Sequence, residues 1–327
     1  HPYTIGLLAC KPPINTDLKE LPTRKHFTEI DEDGFSGDVV KNIDDVLKKL
    51  SIKKSSIDFR NSILYNQEPL IDAKKLTKKY PLKSSKSKFF SAVENVSFKI
   101  FPGETLGLVG ESGCGKSTLG KILLKLSEPY SGSILFNGEN ISNYSNRKMR
   151  PLRKDMQIIF QDPYSSLNPN KKIGKAIMEP MKVHNICEND FQRKQETLQL
   201  LSKVGIDKGD FDKFPHEFSG GQRQRICIAR ALALRPKFIV CDESVSALDV
   251  SVQAEILNLL NSLRDQFGLT YLFISHDLSV VKYMSDRILV MDKGKIVERG
   301  LADDVFFNPQ KKYTQKLISS IPKGFMN

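Results

Sequence analysis

Gly110-Glu111-Ser112-Gly113-Cys114-Gly115-Lys116-Ser117-Thr118 is the stretch from which the rest of the chain can be read. It fits G-x-x-x-x-G-K-[ST], follows the apolar run Thr105-Leu106-Gly107-Leu108-Val109, and leads into helical periodicity from Leu119 to Leu126. Strand, glycine loop and helix, in that order, are what a phosphate-binding loop requires. Glycines let the backbone curl so that several N–H groups point into one anion-sized hollow, at a helix N-terminus whose dipole favours negative charge. Lys116 would reach the β- and γ-phosphates, and the Ser117 hydroxyl would hold Mg²⁺. A glycine turn that merely capped a helix would need neither side chain. The segment predicts a nucleoside triphosphate site.

The 327 residues have room for one large or two modest domains with a sizeable core. Cys10, Cys114, Cys187, Cys227 and Cys241 form no C-x-x-C pair and no metal-ligand spacing, and they read as reduced thiols of a cytosolic protein. Cys241, following Phe238-Ile239-Val240, reads as a small buried hydrophobe. No apolar stretch approaches the roughly 20 residues of a membrane-spanning helix. The net charge of +12 owes much to Lys74, Lys75, Lys78, Lys79, Lys83, Lys86 and Lys88. Without interleaved aromatics to stack on bases, these lysines read as a solvated face, and no nucleic-acid partner is expected.

The first dozen residues resemble a later part of the same chain. Tyr3, Thr4, Leu7 and Pro12 recur at one constant offset as Tyr313, Thr314, Leu317 and Pro322. Both segments are expected to be short helices stopped by proline. Residues 1–13 are therefore expected to be the tail of a preceding half, with this chain the second half of a tandem duplication. Residues 14–67, where Asp31-Glu32-Asp33 and Asp44-Asp45 alternate with Lys48-Lys49 and Lys53-Lys54, read as a charged linker. Within it, Val39 to Leu50 has the pattern of one amphipathic helix.

From Pro69 onward, β-rich runs at Leu70–Ala73 and Ala92–Ile100 precede the glycine loop. Afterwards come apolar strands at Gln157–Phe160, Phe238–Cys241, Tyr271–Ile274 and Ile288–Met291, with helical periodicity at Ala254–Phe267. The pattern predicts an α/β sheet core with an antiparallel flank. One strand ends in Asp242-Glu243. Asp242 could hold the Mg²⁺ shell and Glu243 could polarise the attacking water as general base. Gln161, directly after its own strand, offers an amide to Mg²⁺ and the lytic water. His276, after Tyr271-Leu272-Phe273-Ile274-Ser275, could hydrogen-bond the γ-phosphate. Ser219-Gly220-Gly221-Gln222 opens an amphipathic helix predicted from Gln222 to Leu234, and is a second anion-seeking N-terminus. With nothing bound it would simply cap that helix. Two such loops beside one set of metal ligands make sense if the second serves a nucleotide held by another copy or half.

Glycine loop, Gln161, Ser219 to Gln222, Asp242-Glu243, Ser246-Ala247-Leu248-Asp249 and His276 occur in the order of an ABC-type ATPase, which residues 68–327 resemble. The resemblance implies a P-loop NTPase of ABC type: a RecA-like sheet core, an antiparallel β flank and a helical signature subdomain over about 162–234. It also implies two such domains enclosing two ATP molecules head to tail. Ser219, Gly220, Gly221 and Gln222 would then face the partner's ATP, with Ser246 and Asp249 lining the dimer seam. Tyr80 matches the aromatic that stacks on adenine, with Phe89 and Phe90 as competitors.

Phe160-Gln161-Asp162-Pro163-Tyr164-Ser165-Ser166-Leu167-Asn168-Pro169 and Pro215-His216-Glu217-Phe218-Ser219-Gly220-Gly221-Gln222-Arg223-Gln224-Arg225 are similar to the dipeptide/oligopeptide and nickel importer ATPases, as is the tail over 300–327. That branch implies two membrane permease subunits, an extracytoplasmic substrate-binding protein acting indirectly, and a place on the cytoplasmic face of the membrane. Ser244 departs from the proline usual after the acidic pair, which should only loosen a turn. The rival is a soluble tandem ABC ATPase acting on ribosomes, which would also suit a charged linker and a basic chain.

Overall fold

The computed structural model describes residues 10–13, 15–27, 29–30, 36–37, 42–82 and 85–321. Most of the tail expected at 1–13 lies outside the described residues, as do 322–327.

Helix α1 (Ile43–Leu50) starts where the Asn42 side chain accepts a hydrogen bond from the Asp44 N–H. Asp44 and Asp45 sit in its first turn and Lys48 and Lys49 in its last, each suited to the helix dipole. It falls inside the stretch predicted helical, of which 39–41 are not described. A second helix, α2 (Lys54–Leu64), leaves no clear sequence pattern, because its apolar residues are few and its amphipathicity weak.

The stretch read as a linker is tied to the body of the protein. Cys10, Leu18 and Leu21 are buried in the larger core cluster. Asn258 clasps the Leu21 backbone from both sides: its Oδ1 accepts from the Leu21 N–H at 2.7 Å, and its Nδ2 donates to the carbonyl at 2.8 Å. From α2, Arg60 reaches Asp286 at 2.9 Å and the Gly103 carbonyl at 2.8 Å. Composition predicted solvation here; a few apolar side chains and paired charges find partners supplied from more than 200 residues away.

The antiparallel flank is built from β1 (Ile71–Leu82), β2 (Ser85–Ile100) and β4 (Ser131–Phe136), with the short strand Glu139–Asn140 paired on the outer edge of β4. The first two outrun the predicted segments because Lys and Ser interrupt the apolar pattern of the sequence there while the backbone pairing continues. The main sheet has the order β9-β8-β3-β7-β6-β5, from β9 (Lys295–Leu301), β8 (Arg287–Asp292), β3 (Thr105–Val109), β7 (Thr270–Ser275), β6 (Phe238–Asp242) and β5 (Met156–Ile159). All neighbours are parallel except β8 with β9.

Central strands β3, β6 and β7 are buried at every position, as expected of parallel strands covered on both faces. Their side chains alternate between two cores. Leu106, Leu108, Val240, Leu272 and Ile274 join the flank and helix α3 (Lys116–Leu123). Val109, Ile239, Cys241, Tyr271 and Phe273 join α7 (Val250–Phe267) and α8 (Leu278–Met284). Cys241 is fully buried, and burial pushes its thiol up to about 12.

Between β5 and β6 lies a helical layer: α4 (Ile173–Val183), α5 (Asp190–Lys203) and α6 (Gly220–Leu232). Helix α6 starts two residues before its predicted first position because Ser219 caps it. The chain closes with α9 (Ala302–Phe307) and α10 (Lys312–Ser319).

Candidate functional site

The sheet register assembles the site. Ile274 pairs with Asp242 and with Leu108, while Ser275 pairs with Val109. The tips of β3, β6 and β7 therefore end level, with the glycine loop, the acidic pair and His276 leaving them side by side. Ligands in α/β sheets gather at these carboxyl ends.

Two glycines allow the loop to close. A Cβ on Gly115 (φ +111°) would lie 2.1 Å from the Ala92 carbonyl oxygen, and one on Gly110 would lie 2.1 Å from that of Met291. Lys116 is buried, and its ammonium donates to the carbonyls of Gly110 at 2.7 Å and Glu111 at 3.1 Å. Glu243 Oε1 is 3.8 Å away.

Ser117 Oγ donates to Asp242 Oδ1 at 2.7 Å. Burial raises the Asp242 carboxyl above its ordinary range; the Ser117 hydrogen bond, Lys121 and Lys116 oppose this, and Glu243 adds to it. A hydroxyl and a carboxylate converging at a buried point are hard oxygen donors, and a cation there would relieve the cost of burying the charge. The residues fit Mg²⁺.

Glu243 adopts φ +49°, a left-handed conformation uncommon outside glycine. Three contacts hold it there or aim it. Its N–H donates to the Ile274 carbonyl at 3.0 Å, its carbonyl accepts from Ser246 Oγ at 2.9 Å, and Oε2 stands 3.5 Å from His276 Nδ1. Gln161 Nε2 in turn donates to Ser246 Oγ at 3.3 Å. Ser246, expected at a dimer seam, also links Gln161 to the Glu243 backbone within this chain. Neither pattern nor spacing signals that link.

Tyr80 stands directly opposite Phe90 in the β1–β2 pairing, and Pro81 opposite Phe89. Tyr80 and Phe90 therefore share one face of the flank and Phe89 takes the other. Tyr80 is partly exposed, with Lys78 Nζ 5.1 Å from its ring centroid.

Ser219 to Gln222 form a reciprocal cap: Ser219 Oγ accepts from the Gln222 N–H at 3.3 Å, and Gln222 Oε1 from the Ser219 N–H at 2.9 Å. A Cβ on Gly221 would meet Val252 at 2.4 Å, so α6 starts hard against α7, beside Ser246 to Asp249. Among the described residues no hydrogen bond joins this segment to the glycine loop. Asp249 precedes α7 without a side-chain capping bond.

Residues 93–246 match the family model described as ABC transporter, and residues 297–324 that described as oligopeptide/dipeptide transporter, C-terminal region. The chain is 44% identical over 326 residues to the glutathione import ATP-binding protein GsiA of Pectobacterium atrosepticum, covering 98% of this chain and 49% of that protein. Against GsiA of Salmonella paratyphi A it is 45% identical over 327 residues, with the same coverage. The chain thus spans about half the length of the curated relatives it matches.

Among solved structures, the ATP-binding cassette MJ0796, a dimer in a post-hydrolysis state with ADP and Pi, aligns at a TM-score of 0.64 with 27% identity, covering 71% of this chain and 98% of its own. The cassette cbiO1 of Clostridium perfringens, part of the ABC transporter complex cbiONQ, aligns at 0.65 with 27% identity, covering 78% and 97%. Sheet, antiparallel flank, helical layer and glycine loop together define an ABC-type ATPase cassette, and the chain belongs to that family. Its residues 297–324 are similar to the C-terminal region of the oligopeptide/dipeptide transporters.

Proposed function

We propose that this chain binds ATP on residues 110–118, hydrolyses it with Mg²⁺, and so powers import of small peptides across a membrane. The match of residues 297–324 to the oligopeptide/dipeptide transporter region carries the transport reading over action on ribosomes. The relatives named for glutathione import point to a cargo of tripeptide size. No described helix is long and apolar enough to cross a membrane, so the pathway would belong to two permease subunits, fed by an extracytoplasmic binding protein. The chain would sit on the cytoplasmic face.

Ser117 and Asp242 would hold Mg²⁺, with Gln161 offering its amide to the same ion, and the ion would supply charge neutralisation for the triphosphate. Lys116, with two donors held on the Gly110 and Glu111 carbonyls, turns its third toward the β- and γ-phosphates. Glu243 takes a proton from the attacking water, and His276, whose Nδ1 lies 3.5 Å from that carboxylate, orients it and meets the γ-phosphate. Tyr80 stacks on adenine. Positioning and charge stabilisation supply most of the rate.

Since the chain supplies one glycine loop and one remote Ser219-Gly220-Gly221-Gln222 segment, a second cassette would complete each site. The relatives' doubled length and the repeated Tyr, Thr, Leu and Pro of residues 3–12 favour a preceding half of the same polypeptide. Purifying the endogenous protein in mild detergent and identifying its companions by mass spectrometry tests the proposal. Two permease-like membrane proteins are expected; ribosomal proteins without a membrane partner would overturn the transport reading.

A further inference from the structure

The oligopeptide-type C-terminal region reaches the glycine loop itself. Glu111 N–H donates to Tyr313 Oη at 3.0 Å, from a helix more than 200 residues further along the chain. The tyrosine is held firmly. Glu298 accepts from the backbone N–H groups of Gln310 at 2.6 Å and Lys311 at 3.2 Å, fixing the start of α10. Tyr313, Leu317 and Ile318 pack on the larger core.

That N–H belongs to the same peptide unit as the Gly110 carbonyl. The unit is planar and trans, so its N–H and C=O point in opposite directions. The phenol grips one edge of the unit, and the carbonyl on the opposite edge accepts from the Lys116 ammonium at 2.7 Å. Rotating this peptide would swing the carbonyl away from the lysine and reshape the mouth of the loop. Lys316 also approaches Glu111, at 3.5 Å, but both side chains are exposed and the pair is screened. Burial raises the Tyr313 phenol above its ordinary range, so it stays protonated at neutral pH.

We propose that Tyr313 is a positioning residue for the nucleotide site, orienting the Gly110–Glu111 peptide and through it Lys116. The C-terminal region thereby sets how well the loop is prepared for a triphosphate. This rests on residues 110–117 being the triphosphate site, and the test separates the two claims.

In the intact protein, Tyr313→Phe keeps the ring and removes only the hydroxyl. Titration with ATP should show affinity weakened about three- to tenfold, the loss expected of one hydrogen bond. Amide exchange in the peptide spanning the loop should quicken, with the melting temperature near that of the parent. Leu317→Ala, which removes packing alone, should lower the melting temperature and leave affinity unchanged. Lys116→Ala should bind ATP poorly. If Lys116→Ala loses binding while Tyr313→Phe binds like the parent, the positioning role is wrong and the loop assignment stands. If Tyr313→Phe and Leu317→Ala weaken binding in step with their melting temperatures, the tyrosine is structural only. Normal binding by Lys116→Ala would remove the loop assignment and this proposal with it.

Discussion

Ser117 Oγ and Asp242 Oδ1 are joined by a 2.7 Å hydrogen bond that ties the first turn of α3 to the tip of β6. The bond only partly offsets the cost of a buried carboxylate, and that imbalance makes a cation site testable without turnover. A carboxyl whose folded pKa lies above its unfolded value costs stability once it ionises. The cost is absent below the unfolded pKa, grows as pH rises through the carboxylate range, and is complete above the folded pKa.

Asp242→Asn should therefore raise the melting temperature of the nucleotide-free protein at pH 7, and the gain should fade below about pH 4. The variant should also lose the further rise that Mg²⁺ adds when ATP is present. Melting curves with and without nucleotide and metal check both. A variant less stable than the parent at pH 7 would mean that the Ser117 bond outweighs the burial cost.

Glu243→Gln preserves shape and the hydrogen bonds of the Glu243 backbone while removing the proton acceptor. Turnover should fall at least about a hundredfold, the lower range for general-base catalysis. ATP affinity should stay within a few-fold of the parent. Phosphate release and equilibrium binding measured on one preparation decide it; near-normal hydrolysis would remove Glu243 as base.

The shared face of Tyr80 and Phe90 narrows the choice of adenine platform. Tyr80→Ala should weaken ATP binding by roughly fivefold to a hundredfold, the range for losing a base-stacking ring. Phe90→Ala should act in the same direction but less. Phe89→Ala, on the opposite face, should change little. Affinity unmoved by Tyr80→Ala but lost with Phe89→Ala would reverse the assignment.

Asn258→Ala would strand both backbone groups of Leu21 and the Tyr283 hydroxyl, which donates to Asn258 Oδ1 at 2.9 Å. Urea unfolding should register a loss of about 1–3 kcal/mol, and proteolysis near residues 10–23 should accelerate. Nucleotide affinity should be unaffected. Unaltered stability would show that burial of Leu18 and Leu21 holds this segment without the amide clasp.

Local chemistry made much of this protein legible before any fold was known. The glycine loop, the strand ending in Asp242-Glu243, and Ser219-Gly220-Gly221 each need particular residue types at fixed spacing. The buried strands β3, β6 and β7 announce themselves as continuous apolar runs because parallel strands bury both faces. Their boundaries came out within a residue or two. Other relationships lay beyond that reach. Nothing near Leu21 in the chain points to Asn258, nothing near Glu111 points to Tyr313, and the direction of the Tyr80 ring depends on its pairing with Phe90. Each such contact joins groups brought together only when the sheet closes and helices dock on it, and a hydrogen bond of that kind leaves no periodicity in either partner. Sequence specified the chemical groups; tertiary packing determined which of them touch, and so how the lysine, the carboxylates and the histidine are aimed.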